Sequence, residues 1–119
     1  MATYRKYKNG IVGLRYRGYY IVKGDKKGDF QIWTEDKKIY KRNLYDLDEC
    51  RWILLVDTAS PEEYDIIKNL CTKEIYELSD MLVKLIEKKD REGLEKDEQN
   101  LYNLVVKVRA RKVAMARRK

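Results

Sequence analysis

Two hydrophobic periods divide the chain. Up to residue 45, apolar and polar residues alternate in short runs between glycine-containing turns, and from residue 46 onward apolar residues recur at helical spacing. Alternation is typical of half-buried strands, which we expect within residues 11–17, 19–23, 30–34 and 39–42. The sequence therefore predicts an α+β fold: a small N-terminal antiparallel β-meander of three or four strands, then a short helix and a long C-terminal helical hairpin.

Turn and face assignments follow from the same pattern. Asn9-Gly10 has the residue types of a two-residue hairpin turn. Alternation predicts that Arg15 and Arg17 share one face of the sheet and that Trp33 lies on this polar face with them. The opposite face of the first run is expected to be apolar, with Val12, Leu14 and Tyr16.

A short helix is predicted over residues 46–57. Asp46 stands three residues before Glu49, which is the residue pattern of a capping box. The apolar run 52–56 is equally compatible with a buried strand, because periodicity cannot assign so short a run.

The following segment carries stronger helix signals. Ser60 is a favoured N-cap residue and Pro61 suits the first helical position, so one helix is expected from about Pro61 to about Lys89. Residues 90–93 break it, and a last helix begins near Leu94 or Glu95. A seam on this helix is expected to pack antiparallel on the preceding one. The seam consists of Leu94, Leu101, Leu104, Val105, Val108 and Met115.

A second apolar stripe on the last helix predicts another packing partner. Tyr102, Val106 and Val113 lie away from the seam, and they cover either the sheet of the same chain or a second copy of the protein. The sequence is interpreted as a single domain, residues 1–119, that forms a homo-oligomer through this stripe.

Charge is distributed unevenly over the 119 residues. Residues 1–45 hold twelve Lys/Arg against four Asp/Glu, residues 46–98 hold eight against sixteen, and residues 99–119 hold seven against none. The three segments therefore carry +8, −8 and +7. Two basic segments around an acidic one indicate a phosphate-bearing partner that binds at particular surfaces.

Other features narrow the class of protein. Histidine is absent, which removes the commonest general base and transition-metal ligand. Carboxylates at Asp46, Asp48, Glu49 and Asp57 are interpreted as helix-terminal or solvated groups rather than a Mg²⁺ site. Cys50 and Cys71 are interpreted as buried free thiols. We expect no cofactor, no metal, no catalysis, no membrane partner and a cytoplasmic location in a bacterial host cell.

Two candidate ligand surfaces follow from the basic segments. The first surface is expected on or beside the sheet, with an indole that stacks on a base and cations that bind phosphate. Its residues are Arg15, Arg17, Lys26, Lys27 and Trp33. On the last helix, the basic residues before the helix end are Lys107, Arg109, Arg111 and Lys112. The alternative for Lys26 and Lys27 is protection of a sheet edge. The alternative for the helical set is favourable placement at a helix C-terminus.

A resemblance adds a functional setting. The segments Gly18–Lys23, Phe30–Trp33 and Leu44–Glu49 resemble a strand–strand–helix pattern in small bacteriophage and prophage proteins. The plan of a small N-terminal sheet and two long helices is similar to that of anti-Thoeris sponge proteins, which sequester cyclic nucleotide immune signals. No fixed-spacing motif of that family lies on this sequence, so no functional residue is carried over.

Two functions remain open from the sequence. The first is a non-enzymatic phage-type anti-defence protein that binds and sequesters a phosphorylated, cyclic nucleotide signal. The alternative is a basic nucleic-acid-binding or nucleoprotein-inhibiting protein of anti-CRISPR type, which follows a phosphate backbone with its cations. A scaffold whose basic segments dock its own acidic segment is a third interpretation.

Overall fold

The structure is a computed structural model that describes residues 4–26 and 28–118. Strands come first and helices follow, in the α+β order that the hydrophobic pattern predicts. The chain divides into two compact units, residues 1–58 and 59–119. The expectation of a single domain stays a prediction. The elements are β1 (Arg5–Lys6), β2 (Val12–Tyr16), β3 (Tyr19–Lys23), β4 (Phe30–Trp33), β5 (Ile39–Leu44), α1 (Leu47–Thr58), α2 (Pro61–Cys71), α3 (Ile75–Glu92) and α4 (Lys96–Arg117).

The first unit contains a five-stranded antiparallel meander in the order β1-β2-β3-β4-β5. Its tightest turn is Arg17-Gly18, between the paired residues Tyr16 and Tyr19. Both turn residues have positive φ, 48° and 86°, as a type I′ hairpin requires. The prediction of a two-residue turn at Asn9-Gly10 is wrong, because that hairpin has a longer loop.

The β1–β2 loop has three residues between Tyr7 and Ile11. The Tyr7 N–H donates to the Ile11 carbonyl and the Gly10 N–H donates to the Tyr7 carbonyl, both at 2.9 Å. Gly10 has φ of 89°. This geometry is a type I turn followed by a left-handed residue, a favoured three-residue hairpin connection.

The alternation predicted for β2 fails at its first residue. A Cβ at Gly13 would lie 2.5 Å from the Ile21 carbonyl oxygen, so the backbones of β2 and β3 approach closely here. Gly13 and Leu14 are both buried, and Val12 is 58% exposed rather than on the apolar face with Leu14. The close approach thus interrupts the two-residue period.

One sheet face packs against α1. Leu14, Ile21 and Ile32 form its centre, and Cys50 and Leu54 of α1 cover them. The helix begins where the sequence predicts, since the Asp46 carboxylate accepts the Glu49 N–H at 2.9 Å. Residues 52–56 are therefore helical, and the strand alternative is wrong. Burial of the apolar residues in this core stabilises the unit.

Irregular pairing marks the edge strand β5. Its register against β4 shifts twice, between Phe30 and Ile32 and between Ile32 and Trp33, and Asn43 adopts a φ of 60°. Bulges at a sheet edge increase twist and discourage pairing with another strand.

In the second unit, α2 begins at the predicted N-cap residue Ser60, where the structure shows a capping box. Ser60 Oγ accepts the Glu63 N–H, and the Glu63 carboxylate accepts the Ser60 N–H, both at 3.2 Å. The single helix predicted to reach Lys89 is wrong, because α2 ends at Cys71. Thr72 caps this end, its hydroxyl donating to the Asn69 carbonyl at 2.6 Å, and a capping box at Glu74 starts α3.

The helical hairpin consists of α3 and α4. Gly93 ends α3 with φ of 82°, and Glu95 caps α4. Lys88 and Glu98 form a salt bridge near the connection, and the bond raises the pKa of the lysine and lowers that of the glutamate. At the centre of the predicted seam, Leu104, Val105 and Val108 are buried; Met115, at its end, is exposed. No helix within the described residues is long and apolar enough to span a bilayer.

Candidate functional site

The sheet face opposite α1 is partly covered by the β1–β2 loop. The Tyr7 and Tyr20 rings meet edge to face, 5.0 Å apart between centroids. The Tyr7 hydroxyl accepts the Arg15 N–H at 3.0 Å, which fixes the loop to β2. Tyr20 is only 2% exposed as a result.

Polar contacts hold the tip of this loop on the sheet. Asn9 Oδ1 accepts the Ile11 N–H at 3.2 Å, and Asn9 Nδ2 donates to the Glu35 carbonyl at 3.3 Å. The Tyr20 hydroxyl donates to the Glu35 carboxylate at 2.7 Å, and this bond raises the pKa of Tyr20. The β1–β2 and β4–β5 loops are therefore joined at their tips.

An open cleft lies between the folded loop and the sheet. It has a volume of about 360 Å³ and is lined by Gly10, Ile11, Val12, Val22, Trp33 and Lys37; we call it the Trp33 cleft. The Trp33 indole N–H donates to Gln31 Oε1 at 2.8 Å, which fixes the orientation of the ring. The cleft thus has apolar walls, one oriented indole and one cation.

Lys37 supplies that cation from a strained position. It is the third residue of a loop in which the Thr34 N–H donates to the Lys38 carbonyl at 2.8 Å and the Lys37 N–H donates to the Thr34 carbonyl at 3.0 Å. This is the hydrogen-bond pattern of the β1–β2 loop, but Lys37, with φ of 65°, stands where that loop has glycine. A left-handed L-residue costs about 1–2 kcal/mol, and such strain clusters at functional sites.

The Lys37 ammonium lies beside Gly10. A Cβ added to Gly10 would be 3.3 Å from Lys37 Nζ. Among residues 4–26 and 28–118, this ammonium has no hydrogen-bond or ion-pair partner. It is therefore available to an anion that enters the cleft.

Arg15 lies on the same face as Trp33, as the alternation predicts. Register pairs Arg15 with Tyr20 and Tyr20 with Trp33, so the three residues form one cross-strand row. The Arg15 guanidinium lies over the Tyr20 ring at 5.7 Å, and that of Arg5 lies over the Tyr7 ring at 5.1 Å. The hydrogen bond with Arg5 lowers the pKa of Tyr7.

The remaining residues of the predicted sheet surface lie elsewhere. Arg17 is in the β2–β3 turn rather than on the sheet face, and its Nε donates to Thr58 Oγ1 at 2.5 Å. Lys26 is in the β3–β4 loop and lines a separate cavity of about 520 Å³ with Phe30 and Tyr45. Lys27 lies outside the described residues. The prediction of one surface shared by Arg15, Arg17 and Trp33 is therefore wrong for Arg17, because its chain reverses direction there.

The basic residues of α4 point in different directions. The Arg109 Nε donates to Ser79 Oγ of α3 at 2.8 Å, so this guanidinium is used within the hairpin. Lys107 and Arg111 are four residues apart and share another side of the helix. Lys112, the residue after Arg111, is rotated about 100° from it around the helix axis. The helix does not bring the four predicted residues onto one face.

Sequence reasoning missed Lys37, although a signal was present. The three loop residues Glu35, Asp36 and Lys37 follow Thr34, which is the neighbour of the one tryptophan assigned to the polar face. A hairpin loop of this length returns its last residue, Lys37, towards the sheet near that tryptophan. The alternation rule applies only within strands and gave no information on the loop.

The cysteines and carboxylates have structural settings. Cys50 is buried in the sheet core, and burial raises its pKa to about 12. Cys71 is exposed at the end of α2, so the expectation that it is buried is wrong. Within the described part of the chain, no group of three or more Cys, Asp or Glu residues could hold a metal ion.

Comparison with known proteins gives no relative: no family model, no curated protein and no solved structure matches the chain.

Proposed function

We propose that the protein binds a small phosphorylated nucleotide in the Trp33 cleft and holds it without converting it. The base stacks on the Trp33 indole, and a phosphate oxygen meets the Lys37 ammonium. The observation that carries this proposal is an oriented indole on the wall of an open cleft, together with an ammonium that has no partner among the residues the structure describes.

The energies of such contacts suit a nucleotide. Stacking of a base on an aromatic side chain contributes about 1–3 kcal/mol. A charge-assisted hydrogen bond to phosphate adds about 1.5–3 kcal/mol. Since Gln31 already fixes the indole, little side-chain entropy is lost on binding.

The size of the cleft favours a small ligand. A volume of about 360 Å³ lies at the lower end of small-molecule sites, which occupy roughly 300–1,000 Å³. Its lining contains one titratable side chain, that of Lys37, which supports retention of a ligand more than acid–base catalysis.

Nucleic-acid binding is less well supported. Following a phosphate backbone requires cations in a continuous row. Arg17 instead bonds to Thr58, Arg109 bonds to Ser79, and the other basic residues of α4 lie on different sides. An anti-defence role in a phage setting stays a prediction from the sequence resemblance.

Calorimetry with defined probes tests the proposal. The probes are AMP, 3′,5′-cyclic AMP, ADP-ribose and a ten-nucleotide oligothymidylate. At least one small nucleotide should bind, and Trp33→Leu should weaken it about 5- to 150-fold, equivalent to the stacking energy. Lys37→Met should weaken it about 10- to 150-fold by loss of the charge-assisted bond.

The matched control is Lys38→Met, which removes the same charge one residue away from the cleft and should bind like the wild type. Salt dependence separates the two functions. If the oligonucleotide binds through its backbone, the logarithm of its binding constant falls with the logarithm of the salt concentration, with a slope of about −0.7 per phosphate contacted. The proposal is wrong if no small nucleotide binds, or if only the oligonucleotide binds and Trp33→Leu leaves its affinity unchanged.

A further inference from the structure

An apolar face remains exposed on the outer side of the α3–α4 hairpin. On α3, the residues Tyr76, Val83 and Ile86 follow helical 7/3 spacing and are 68%, 52% and 42% exposed. On α4, Val106 is 37% exposed, and Tyr102 and Val113 are half-buried at 4/7 spacing from it.

The two stripes lie side by side. Arg109 and Ser79 are hydrogen-bonded, so these residues are at the same level of the antiparallel hairpin. Seven residues from this pair towards the α3–α4 connection, Ile86 lies level with Tyr102, and about halfway there Val83 lies beside Val106. On the other side of the pair, Tyr76 lies beside Val113. The six residues therefore lie at matching levels of the two helices, with the hydrogen-bonded pair Arg109 and Ser79 among them, and we call this set the hairpin face.

We infer that the hairpin face binds a second copy of this chain, with α3 of each copy packed against α4 of the other. A two-fold axis parallel to the helices gives this arrangement and makes every neighbouring pair antiparallel. Tyr76, Val83 and Ile86 of one copy then cover Val113, Val106 and Tyr102 of its partner. The interface is thereby self-complementary.

Charge supports a second copy as the occupant. The α3 border of the face carries exposed Asp80, Lys84 and Glu87, two acidic residues against one basic residue. On α4, Lys107 is half-buried, and residues 99–119 contain no acidic residue. The two-fold arrangement brings the acidic border of each α3 towards the basic α4 of the partner, whereas a pairing of α3 with α3 would oppose like charges.

The area is sufficient for a small dimer interface. The 18 residues of α3 make a helix about 27 Å long. Two helices at an interaxial distance of about 10 Å present a face roughly 20 Å wide, so two copies bury on the order of 1,000 Å². That is about the lower limit for a specific interface.

Light scattering with size exclusion, at loading concentrations from about 10 to 300 µM, tests the inference on the full chain. The wild type should approach twice the 14.3 kDa mass of one chain as concentration rises. Val83→Glu and Val106→Glu should each return the mass to that of one chain. Asn100→Glu, an exposed change on another side of α4, should leave the dimer unchanged.

Charge pairing tests the arrangement itself. In the proposed dimer, residue 83 faces residue 106 of the partner. The double variant Val83→Glu/Val106→Lys should therefore dimerise at least tenfold more tightly than Val83→Glu/Val106→Glu. Circular dichroism establishes that each variant is folded. The inference is wrong if the wild type has the mass of one chain at the highest concentration, in which case another protein is the partner of this face. A mass above two chains, or equal affinities of the two double variants, would also overturn it.

Discussion

The two faces of the β-sheet use similar side chains for different purposes. Ile32 and Trp33 are neighbours on β4, yet Ile32 is completely buried under α1, whereas Trp33 lines an open cleft beneath the β1–β2 loop. On the α1 face, apolar side chains fill the space between sheet and helix. On the cleft face, the loop covers Tyr20 but leaves an indole and an ammonium accessible. The first face accounts for stability, and we propose that the second accounts for binding.

The largest expected effect concerns stability on the α1 face. Ile32→Ala should lower the free energy of unfolding by about 2–5 kcal/mol, because it leaves a cavity among Leu14, Ile21 and Leu54. Val12→Ala, on the exposed wall of the cleft, should change it by no more than about 0.5 kcal/mol. Urea unfolding measures both. Equal losses in the two variants would show that the faces do not differ in this way.

The sequence predicted the α1 face better than the cleft face. Two-residue alternation placed Leu14 on the apolar face, and the pattern at Asp46 and Glu49 located the start of α1, because both depend on local chain geometry. The cleft depends on contacts that local rules do not contain. Gly13 interrupts alternation by its approach to Ile21, and Lys37 reaches the cleft through the shape of a loop.

The helical unit shows the same limit. The sequence predicted the N-cap at Ser60 and the helix break at residues 90–93. It did not predict the end of α2 at Cys71, because the apolar period continues across residues 72–74. Charge counting also grouped Arg109 with Arg111, whereas in the structure Arg109 is hydrogen-bonded to Ser79. The number of basic residues in a segment does not show which of them are accessible to a ligand.

Lys37→Gly should separate stability from binding on the cleft face. Glycine adopts a positive φ without the cost of about 1–2 kcal/mol that lysine bears there, but it increases the entropy of the unfolded chain. The net result should be a gain of about 0.5–1 kcal/mol in the free energy of unfolding together with loss of nucleotide affinity. Thermal unfolding and calorimetry on one preparation measure the two effects. A less stable variant that binds normally would contradict the role assigned to Lys37.

A smaller, pH-dependent effect is expected at the rim of the α1 face. The Tyr40 hydroxyl donates to the Asp57 carboxylate at 2.7 Å, and this bond raises the pKa of Tyr40 to about 12. Because folding favours the neutral phenol, the contribution is complete below the ordinary tyrosine pKa of about 10 and is lost as the pH rises towards 12.

Tyr40→Phe should therefore be less stable than the wild type at pH 8, and the difference should shrink at pH 11.5. Melting temperatures of both proteins at the two pH values give the comparison. Because Cys50 titrates equally in both, its high pKa cancels. A difference that stays constant with pH would show that the bond to Asp57 does not control the titration of Tyr40.

The central claim is that the cleft face, and not α4, receives the nucleotide. Titration of ¹⁵N-labelled protein with the tightest-binding small nucleotide, followed by NMR, locates the contact residue by residue. The account predicts chemical-shift changes at the Trp33 indole N–H and at the backbone amides of Gly10, Val22 and Lys37, with the amide of Leu54 unchanged. Changes confined to residues 107–118, with the Trp33 indole signal unmoved, would contradict it.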